Sequence, residues 1–109
     1  AWQPCLVLAS SFFEWGGEPR HRIRYRVRPA APTSCMVMAG IAQASEATTA
    51  DHHALNFVIL TMPSVPPLHP IHDRMPVMLD GCDLSRWLHA PDPWDAALLE
   101  SLLRAPESY

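Results

Sequence analysis

Alternation of apolar and polar positions is the main pattern in the first two thirds of the chain, and it predicts short strands. In residues 21–28, three apolar positions alternate with four arginines, which is typical of a strand with one buried face. Apolar runs predict further strands at Cys5–Ala9, Phe12–Trp15, Cys35–Ile41, Leu55–Thr61 and Met75–Leu79. Gly16–Pro19 predicts a turn, and residues 30–33, 42–53 and 62–70 predict loops.

The pattern becomes helical toward the C-terminal end. Asp83 or Ser85 can cap a short helix that runs through Trp87 and Leu88. A second helix is predicted over Pro93–Leu103, with leucines on its apolar face. Strands first and helices last predict an α+β fold with a curved, mostly antiparallel, barrel-like sheet and C-terminal helices.

Composition narrows the class of protein. A chain of 109 residues with 49% hydrophobic content is expected to form one small domain, residues 1–109, with a buried core. No apolar run reaches the roughly 20 residues that span a bilayer, and no signal peptide is evident. Three widely separated cysteines favour reduced thiols over disulfides, which predicts a cytoplasmic protein.

The charges are distributed unevenly. A net charge of −3 does not by itself suggest nucleic-acid binding. However, all eight basic residues are arginines, and five of them lie from Arg20 to Arg28. A basic face can therefore exist on this mildly acidic chain. The sequence leaves open whether the stripe of Arg22, Arg24, Arg26 and Arg28 faces a site or the solvent.

Two short stretches contain candidate catalytic residues. Glu14, in S-F-F-E-W at 11–15, shares a strand face with Phe12, and its carboxylate is set among aromatics as a usable acid or base. The alternative is a solvated glutamate at a sheet edge. His72, in I-H-D-R-M-P at 71–76, is flanked by prolines and is its natural partner. The alternative is a loop histidine with a structural hydrogen bond.

Other chemistries are less well supported by the residues. A metal site would use His69, His72 and Asp73, or His52 and His53, but no common metal-ligand spacing is present. We therefore predict no metal and no cofactor. A Cys–His nucleophile pair would use Cys5 or Cys35, although cysteines in apolar strands usually serve packing.

Two long motifs resemble those of the SOS response-associated peptidase family. C-L-V-L-A-S-S-F-F-E-W at 5–15 is similar to that family's C-L-[VI]-P-A-x-G-[FY]-[YF]-E-W motif. H-D-R-M-P-V-M-L at 72–79, with F-V-I-L-T at 57–61 before it, is similar to the family's T-x…I-H-D-R-M-P-[VL]-[IV]-L pattern. Three residues in or next to the first motif depart from the family pattern. Members usually have Arg, Pro and Gly where this chain has Pro4, Leu8 and Ser11, respectively. The resemblance covers nearly the whole chain but only the C-terminal half or so of a member.

The resemblance implies covalent capture of abasic sites in single-stranded DNA, with autoproteolytic maturation. The family's nucleophile is an N-terminal cysteine that is absent here, so this chain alone is expected to be inactive in crosslinking. Glu14 and His72 match the family's catalytic residues, Thr61 matches a threonine that lines the site, and Trp15 and Arg74 match residues that contact DNA. A monomer is expected.

Two other functions stay open at this point. A non-covalent relative, from a phage or a degenerate copy, would bind single-stranded DNA through Trp15 and the arginine stripe without chemistry. Alternatively, the family name suggests a peptidase that acts on other proteins.

Overall fold

Short antiparallel strands followed by two helices form the computed structural model, which describes residues 2–31, 34–46, 49, 54–65, 68, 70–92 and 95–102. The strands are β1 (Gln3–Ala9), β2 (Phe12–Glu18), β3 (His21–Val27), β4 (Met36–Ala44), β5 (Leu55–Ile59), β6 (Thr61–Pro63) and β7 (Arg74–Pro76). The helices are α1 (Asp83–Leu88) and α2 (Ala96–Leu102). The predicted α+β class, with antiparallel strands first and helices last, is confirmed.

The described strands form three separate antiparallel sheets that do not close into a barrel. The first has the order β1-β4-β5, the second is the β2–β3 hairpin, and the third pairs β6 with β7. The first sheet and the third are joined at Leu60. The Leu60 N–H donates to the Ala39 carbonyl, and the Leu60 carbonyl accepts from the Val77 N–H, both at 2.9 Å. The strand predicted over 55–61 is therefore divided, because the chain changes sheets at this residue.

The hydrophobic core lies between β4, β7 and α1. Met36, Met75, Leu79 and Trp87 are its largest fully buried side chains. The Trp87 indole N–H donates to the carbonyls of Cys5 and Gly40, each at 3.1 Å. These bonds satisfy the one polar atom of a buried indole. They also hold α1 against β1 and β4 of the first sheet.

Gly40 lies where β4 closely approaches its two neighbouring strands. A Cβ at this position would lie 2.9 Å from the Cys5 sulfur and 3.0 Å from the Val58 carbonyl oxygen. Real Cβ atoms do not tolerate the shorter of these contacts. Glycine therefore lets β4 pass between β1 and β5.

The predicted turn at Gly16–Pro19 is wrong in its position. Strand β2 continues through both glycines to Glu18, which pairs with His21, so the turn is confined to Pro19 and Arg20. The β2–β3 register supplies the reason, since Gly16 and Gly17 pair with Ile23 and Arg22. Gly17 has a φ of 86°, and a Cβ there would lie 2.6 Å from the His21 carbonyl oxygen, whereas Gly16 lies against Ile71 and Tyr25.

Three other boundaries differ from the prediction. The loop predicted over 42–53 begins later, because β4 continues to Ala44 and pairs with β5; residues 47, 48 and 50–53 lie outside the described residues. The loop predicted over 62–70 begins inside β6, and Pro66, Pro67 and His69 are not described. The strand predicted over 75–79 splits, with β7 ending at Pro76 and Met78 bridging to Met38.

The helix caps also differ from the prediction. Cys82 occupies the N-cap of α1 without a side-chain bond, so neither Asp83 nor Ser85 is the cap. Asp83 instead lies in the first turn, where its carboxylate accepts from Arg86 at 3.0 Å. Asp95, which the sequence reading missed, accepts from the backbone N–H groups of Ala97 and Leu98 before α2. Pro93, Trp94 and Leu103 lie outside the described residues.

No helix among the described residues combines the length and the apolar character needed to cross a membrane.

Candidate functional site

The β2–β3 hairpin has two faces of different chemistry. Because directly paired residues of antiparallel strands share a face, the register places Glu14 with Tyr25 on one side, which we call the inner face. The same register pairs Phe13 with Arg26 and Trp15 with Arg24 on the opposite side, the outer face. Glu14 is thus directed to one side of the ribbon and its two sequence neighbours to the other.

A glycine brings the inner face close to the segment that contains His72. A Cβ at Gly16 would lie 3.0 Å from the Ile71 carbonyl oxygen, 3.0 Å from its Cγ2 and 3.0 Å from Tyr25 Cε2. A larger residue at position 16 would therefore push β2 away from residues 71 and 72. Since Glu14 lies two residues before Gly16 on the same face, a shift of β2 at Gly16 would also change the distance between Glu14 and His72.

Backbone hydrogen bonds hold the segment at His72. The Leu68 carbonyl accepts from the N–H groups of Ile71, at 2.9 Å, and His72, at 3.1 Å. The buried Ser64 donates its hydroxyl to the His72 carbonyl, and its N–H donates to the Asp73 carbonyl at 2.9 Å. The backbone of His72 is therefore fixed on both sides, which is the geometry that positions a functional side chain.

Glu14 and His72 approach each other across the inner face. His72 Nε2 lies 3.7 Å from Glu14 Oε1, and the side chains are 39% and 28% exposed, respectively. The separation exceeds a direct hydrogen bond but is close enough for a small group to contact both residues. Glu14 Oε1 also accepts from the Trp15 N–H at 3.2 Å. A carboxylate and an imidazole in this arrangement can take and give protons on one substrate.

Three polar atoms surround the other ring nitrogen of His72. The Arg74 N–H donates to Nδ1 at 3.1 Å, which fits the neutral tautomer with its proton on Nε2. The Arg74 carbonyl oxygen at 3.2 Å and Asp73 Oδ1 at 3.4 Å fit a protonated Nδ1 instead. Nδ1 therefore has a partner in either tautomer, and Nε2 faces Glu14 in both.

Arg74 is held by Thr61 across the β6–β7 pair. Its Nη2 donates to the Thr61 carbonyl at 2.9 Å and to the Thr61 hydroxyl at 3.0 Å, and its Nε reaches the same hydroxyl at 3.3 Å. A guanidinium has five N–H donors, so Arg74 can bind a phosphate while these bonds persist.

These residues line a single cavity of about 290 Å³. Its polar lining residues are Glu14, Thr61, His72 and Arg74, and its apolar lining residues are Phe12, Met38, Ile59, Met75 and Pro76. A larger cavity of about 450 Å³ lies at the far end of the first sheet, where Cys5 is the only titratable lining residue. The smaller cavity is the better candidate site, because few polar groups converge on an apolar wall there.

Trp15 lies apart from this cavity. It is 53% exposed and on the outer face, opposite Arg24. The structure therefore brings four of the five sequence-predicted site residues together and places the fifth on the other side of the ribbon.

Sequence reasoning missed several supporting contacts. The Arg24 guanidinium lies 4.7 Å from the Phe13 ring centroid, a cation–π contact that the alternating pattern alone could not predict. Tyr25 pairs with Glu14, and Ser64 holds the His72 backbone. The alternation of β3 placed Tyr25 opposite the arginines, but only the strand register shows which β2 residue it meets.

The three cysteines are not among the lining residues of the candidate cavity, whereas His72 of the metal alternative lines it. Burial raises the pKa of the Cys5 thiol above its ordinary value, which disfavours the reactive thiolate. Among the described residues, no group of three histidine, cysteine or acidic side chains is placed to hold a metal ion. His52, His53 and His69 of the metal alternative are not among those residues.

Comparison with known proteins identifies related sequences and folds. The sequence profile of the SOS response associated peptidase (SRAP) family matches residues 1–109. The fold is similar to the X-ray crystal structure of a structural genomics target from Bacteroides thetaiotaomicron, with a TM-score of 0.72 and 26% identity. That match covers 93% of this chain and 44% of the other, so the chain spans less than half of that protein. No curated protein matches.

Proposed function

Because the chain belongs to the SRAP family, we propose that it is part of a protein that captures abasic sites in single-stranded DNA covalently. The observation that supports this most is the 3.7 Å approach of Glu14 and His72 across a cavity that Thr61 and Arg74 also line. The ring-opened form of an abasic sugar presents an aldehyde, and the cavity offers it two groups that exchange protons.

The proposed chemistry needs proton transfer at two atoms. An N-terminal amine, supplied by polypeptide outside this chain, attacks the aldehyde carbon; Glu14 takes a proton from the nitrogen and His72 gives one to the carbonyl oxygen, which forms a carbinolamine. The proton then passes from Glu14 to His72, and His72 protonates the hydroxyl, which leaves as water while the remaining N–H proton goes to Glu14 and the C=N bond of the imine forms. The adjacent thiol then adds to the imine carbon, its proton passes to the nitrogen, and this step closes a thiazolidine. General acid–base groups typically contribute about 10²–10⁴-fold to such steps. We propose that the same pair acts in crosslink reversal and in maturation of the N-terminus.

Thr61 and Arg74 are proposed to hold the DNA at the cavity. The Arg74 guanidinium is oriented by three bonds to Thr61, which reduces the entropy lost when it binds a phosphate. Trp15 is proposed as a DNA contact outside the cavity, because its exposed ring offers a surface for a base.

We propose that residues 1–109 are the C-terminal part of a longer domain. The chain matches less than half of the solved protein, and the first sheet exposes Leu8, Leu55, Phe57 and Val58. The register places Leu55 and Phe57 on one face of this sheet and Leu8 and Val58 on the other, and adjacent exposed apolar side chains favour a surface that packs against other protein. The missing part would cover these side chains and supply the nucleophile.

The test is capture on a denaturing gel. The longer protein that contains this chain is mixed with single-stranded DNA that has one abasic site, beside an undamaged strand of the same sequence. The proposal predicts a shifted band only with the abasic strand, which is lost when the N-terminal cysteine is replaced by serine. The 109-residue chain alone is expected to give no band. Absence of a shifted band with the longer protein would contradict the proposal.

A second candidate function is non-covalent binding of single-stranded DNA. The exposed Phe13 and Trp15 rings beside arginines favour it, since such surfaces hold strands without chemistry. Salt-sensitive binding that survives Glu14→Gln and His72→Ala, with no shifted band in the gel, would establish this function instead.

A further inference from the structure

The outer face of the β2–β3 hairpin collects positive charge and aromatic surface in one place. Phe13, Trp15 and Gly17 on β2 pair with Arg26, Arg24 and Arg22 on β3, respectively. These six positions include three arginines and no acidic residue, in a chain whose net charge is −3. The charge of this face is therefore opposite in sign to that of the chain.

The three arginines are not neutralised by the protein. Arg22, Arg24 and Arg26 are exposed, and within the described residues none of them forms an ion pair with a carboxylate. Glu18, the other acidic residue of β2, pairs with His21 on the inner face. By contrast, Arg86 on α1 bonds to Asp83 at 3.0 Å. The hairpin guanidiniums are thus available to an anionic ligand.

The aromatic residues indicate which anion. Phe13 is 55% exposed and Trp15 is 53% exposed, although rings of this size are usually covered. The Arg24 guanidinium lies over the Phe13 ring, 4.7 Å from its centroid, so a cationic and an aromatic surface stack side by side. Bases of a single strand stack on exposed rings while arginines hold the phosphates. A duplex buries its base faces and cannot use the rings in this way.

We propose that the outer face of the hairpin binds a single-stranded nucleic acid, with Arg22, Arg24 and Arg26 on phosphates and Phe13 as a stacking platform. This surface is separate from the Glu14–His72 cavity, which lies on the inner face. The inference deepens the proposed function and takes the class of ligand from it. The outer face holds intact nucleotides that flank the one undergoing chemistry.

The test measures binding of undamaged DNA to the longer protein that contains this chain. The probe is a fluorescent oligothymidylate of about 20 nucleotides, longer than common site sizes of roughly 4–16 nucleotides. Affinity is measured by anisotropy at several salt concentrations for the unmodified protein, Arg24→Gln and Arg86→Gln. The last variant is the matched control, since it removes the same charge from α1. Thermal unfolding of each variant checks that it folds.

The expected result is a selective effect of the hairpin arginine. Arg24→Gln lowers affinity several-fold and reduces the slope of log Kobs against log salt by about 0.7, the value for one phosphate contact on a single strand. Arg86→Gln leaves the slope unchanged. Phe13→Ala weakens binding about tenfold, and Phe13→Tyr, which keeps a ring, restores it.

Three outcomes would overturn the inference: equal losses in Arg24→Gln and Arg86→Gln, equal binding of a duplex of the same length, or equal competition by polyglutamate. Its failure is distinct from failure of the proposed function. Normal capture of abasic DNA with binding independent of Arg24 refutes this inference alone. Arginine-dependent binding without capture refutes the proposed function alone.

Discussion

The two faces of the β2–β3 hairpin are made from alternate residues of the same seven-residue strands yet differ in environment. On the inner face, Glu14 is partly covered and lies 3.7 Å from His72. On the outer face, Phe13 and Trp15 are more than half exposed and lie beside arginines. Period-2 alternation alone produces this division.

Under the proposed function, the two faces would carry out two different tasks on the same ligand, binding it and transforming it. A group that moves protons must be held close to its partner, which Gly16 and the bonds around His72 achieve. A surface that holds a flexible strand needs charge and exposed rings, and benefits from access rather than enclosure. Substitutions on the two faces should therefore have different consequences for capture and for binding.

The largest expected effect is that of Glu14→Gln on capture of abasic DNA by the longer protein. Loss of the proton acceptor should slow capture by about 10²–10⁴-fold, whereas affinity for undamaged single strands stays the same. Capture rates come from quenched time points on denaturing gels, and affinities come from anisotropy. Glu18→Gln is the matched control, because it removes the same charge from the same strand at its exposed end. Equal loss of capture in both variants would contradict a specific role of Glu14.

A smaller effect is expected from Gly16→Ala, which leaves Glu14 and His72 in place as residues but changes the distance between them. The added Cβ would contact Ile71 and Tyr25 at 3.0 Å, so the His72 segment must move. We expect capture to fall about tenfold and the free energy of unfolding to fall by about 1–3 kcal/mol, as measured in urea.

Gly81→Ala is the comparison for this variant. Its φ of 53° strains an alanine, but no heavy atom lies near the added Cβ. It should cost stability, by about 1 kcal/mol, without slowing capture. Parallel losses of capture in both glycine variants would show that general destabilisation, rather than the Glu14–His72 distance, controls the rate.

Thr61→Val should have a moderate effect of about fivefold on capture. Valine keeps the shape but removes the hydroxyl that accepts from Nε and Nη2 of Arg74, and one hydrogen bond contributes about 1 kcal/mol. The bond from Arg74 to the Thr61 carbonyl remains. Thr61→Ser keeps the hydroxyl and should restore capture in the gel assay. A Thr61→Ser variant as slow as Thr61→Val would exclude this positioning role.

The smallest expected effect on capture is that of Cys5→Ala, because Cys5 belongs to neither face of the hairpin. Because burial raises the pKa of its thiol, Cys5 should alkylate more slowly near neutral pH than the exposed Cys35 and Cys82. Its rate should increase as the pH rises toward that raised pKa. Mass spectrometry of iodoacetamide-treated chain measures all three rates. Cys5→Ala should leave capture unchanged, and a loss of capture would implicate Cys5 as the nucleophile.

The sequence pointed to four residues that the fold brings to one cavity, although it misjudged the path of the chain between them. The stretches at 11–15 and 71–76 and the family motifs pointed to Glu14, Thr61, His72 and Arg74, which line that cavity; their functional role stays a prediction. The placement of Trp15 on the opposite side follows from the alternation of side chains along β2, which separates neighbours along a strand. Motif matching alone does not contain this information.

Two of the missed features depend on contacts between residues far apart in sequence. Gly16 predicted part of a turn, since glycine is common there, but the packing of Ile71 against this residue decides its role. The division of the predicted strand at Leu60 depends on hydrogen bonds to Ala39 and Val77. Local pattern cannot predict either feature, because the contacting residues lie in distant segments of the chain.

The most direct test of the account is a double-mutant cycle on capture by the longer protein. Capture rates are measured for the unmodified protein, Glu14→Gln, His72→Gln and the double variant, with Glu18→Gln as the charge control. If Glu14 and His72 act as one proton-transferring pair, the double variant should be no slower than the slower single variant, because each loss already disables the pair. Fold losses that simply multiply in the double variant would show that the two residues act independently, and would contradict a single site built on their approach.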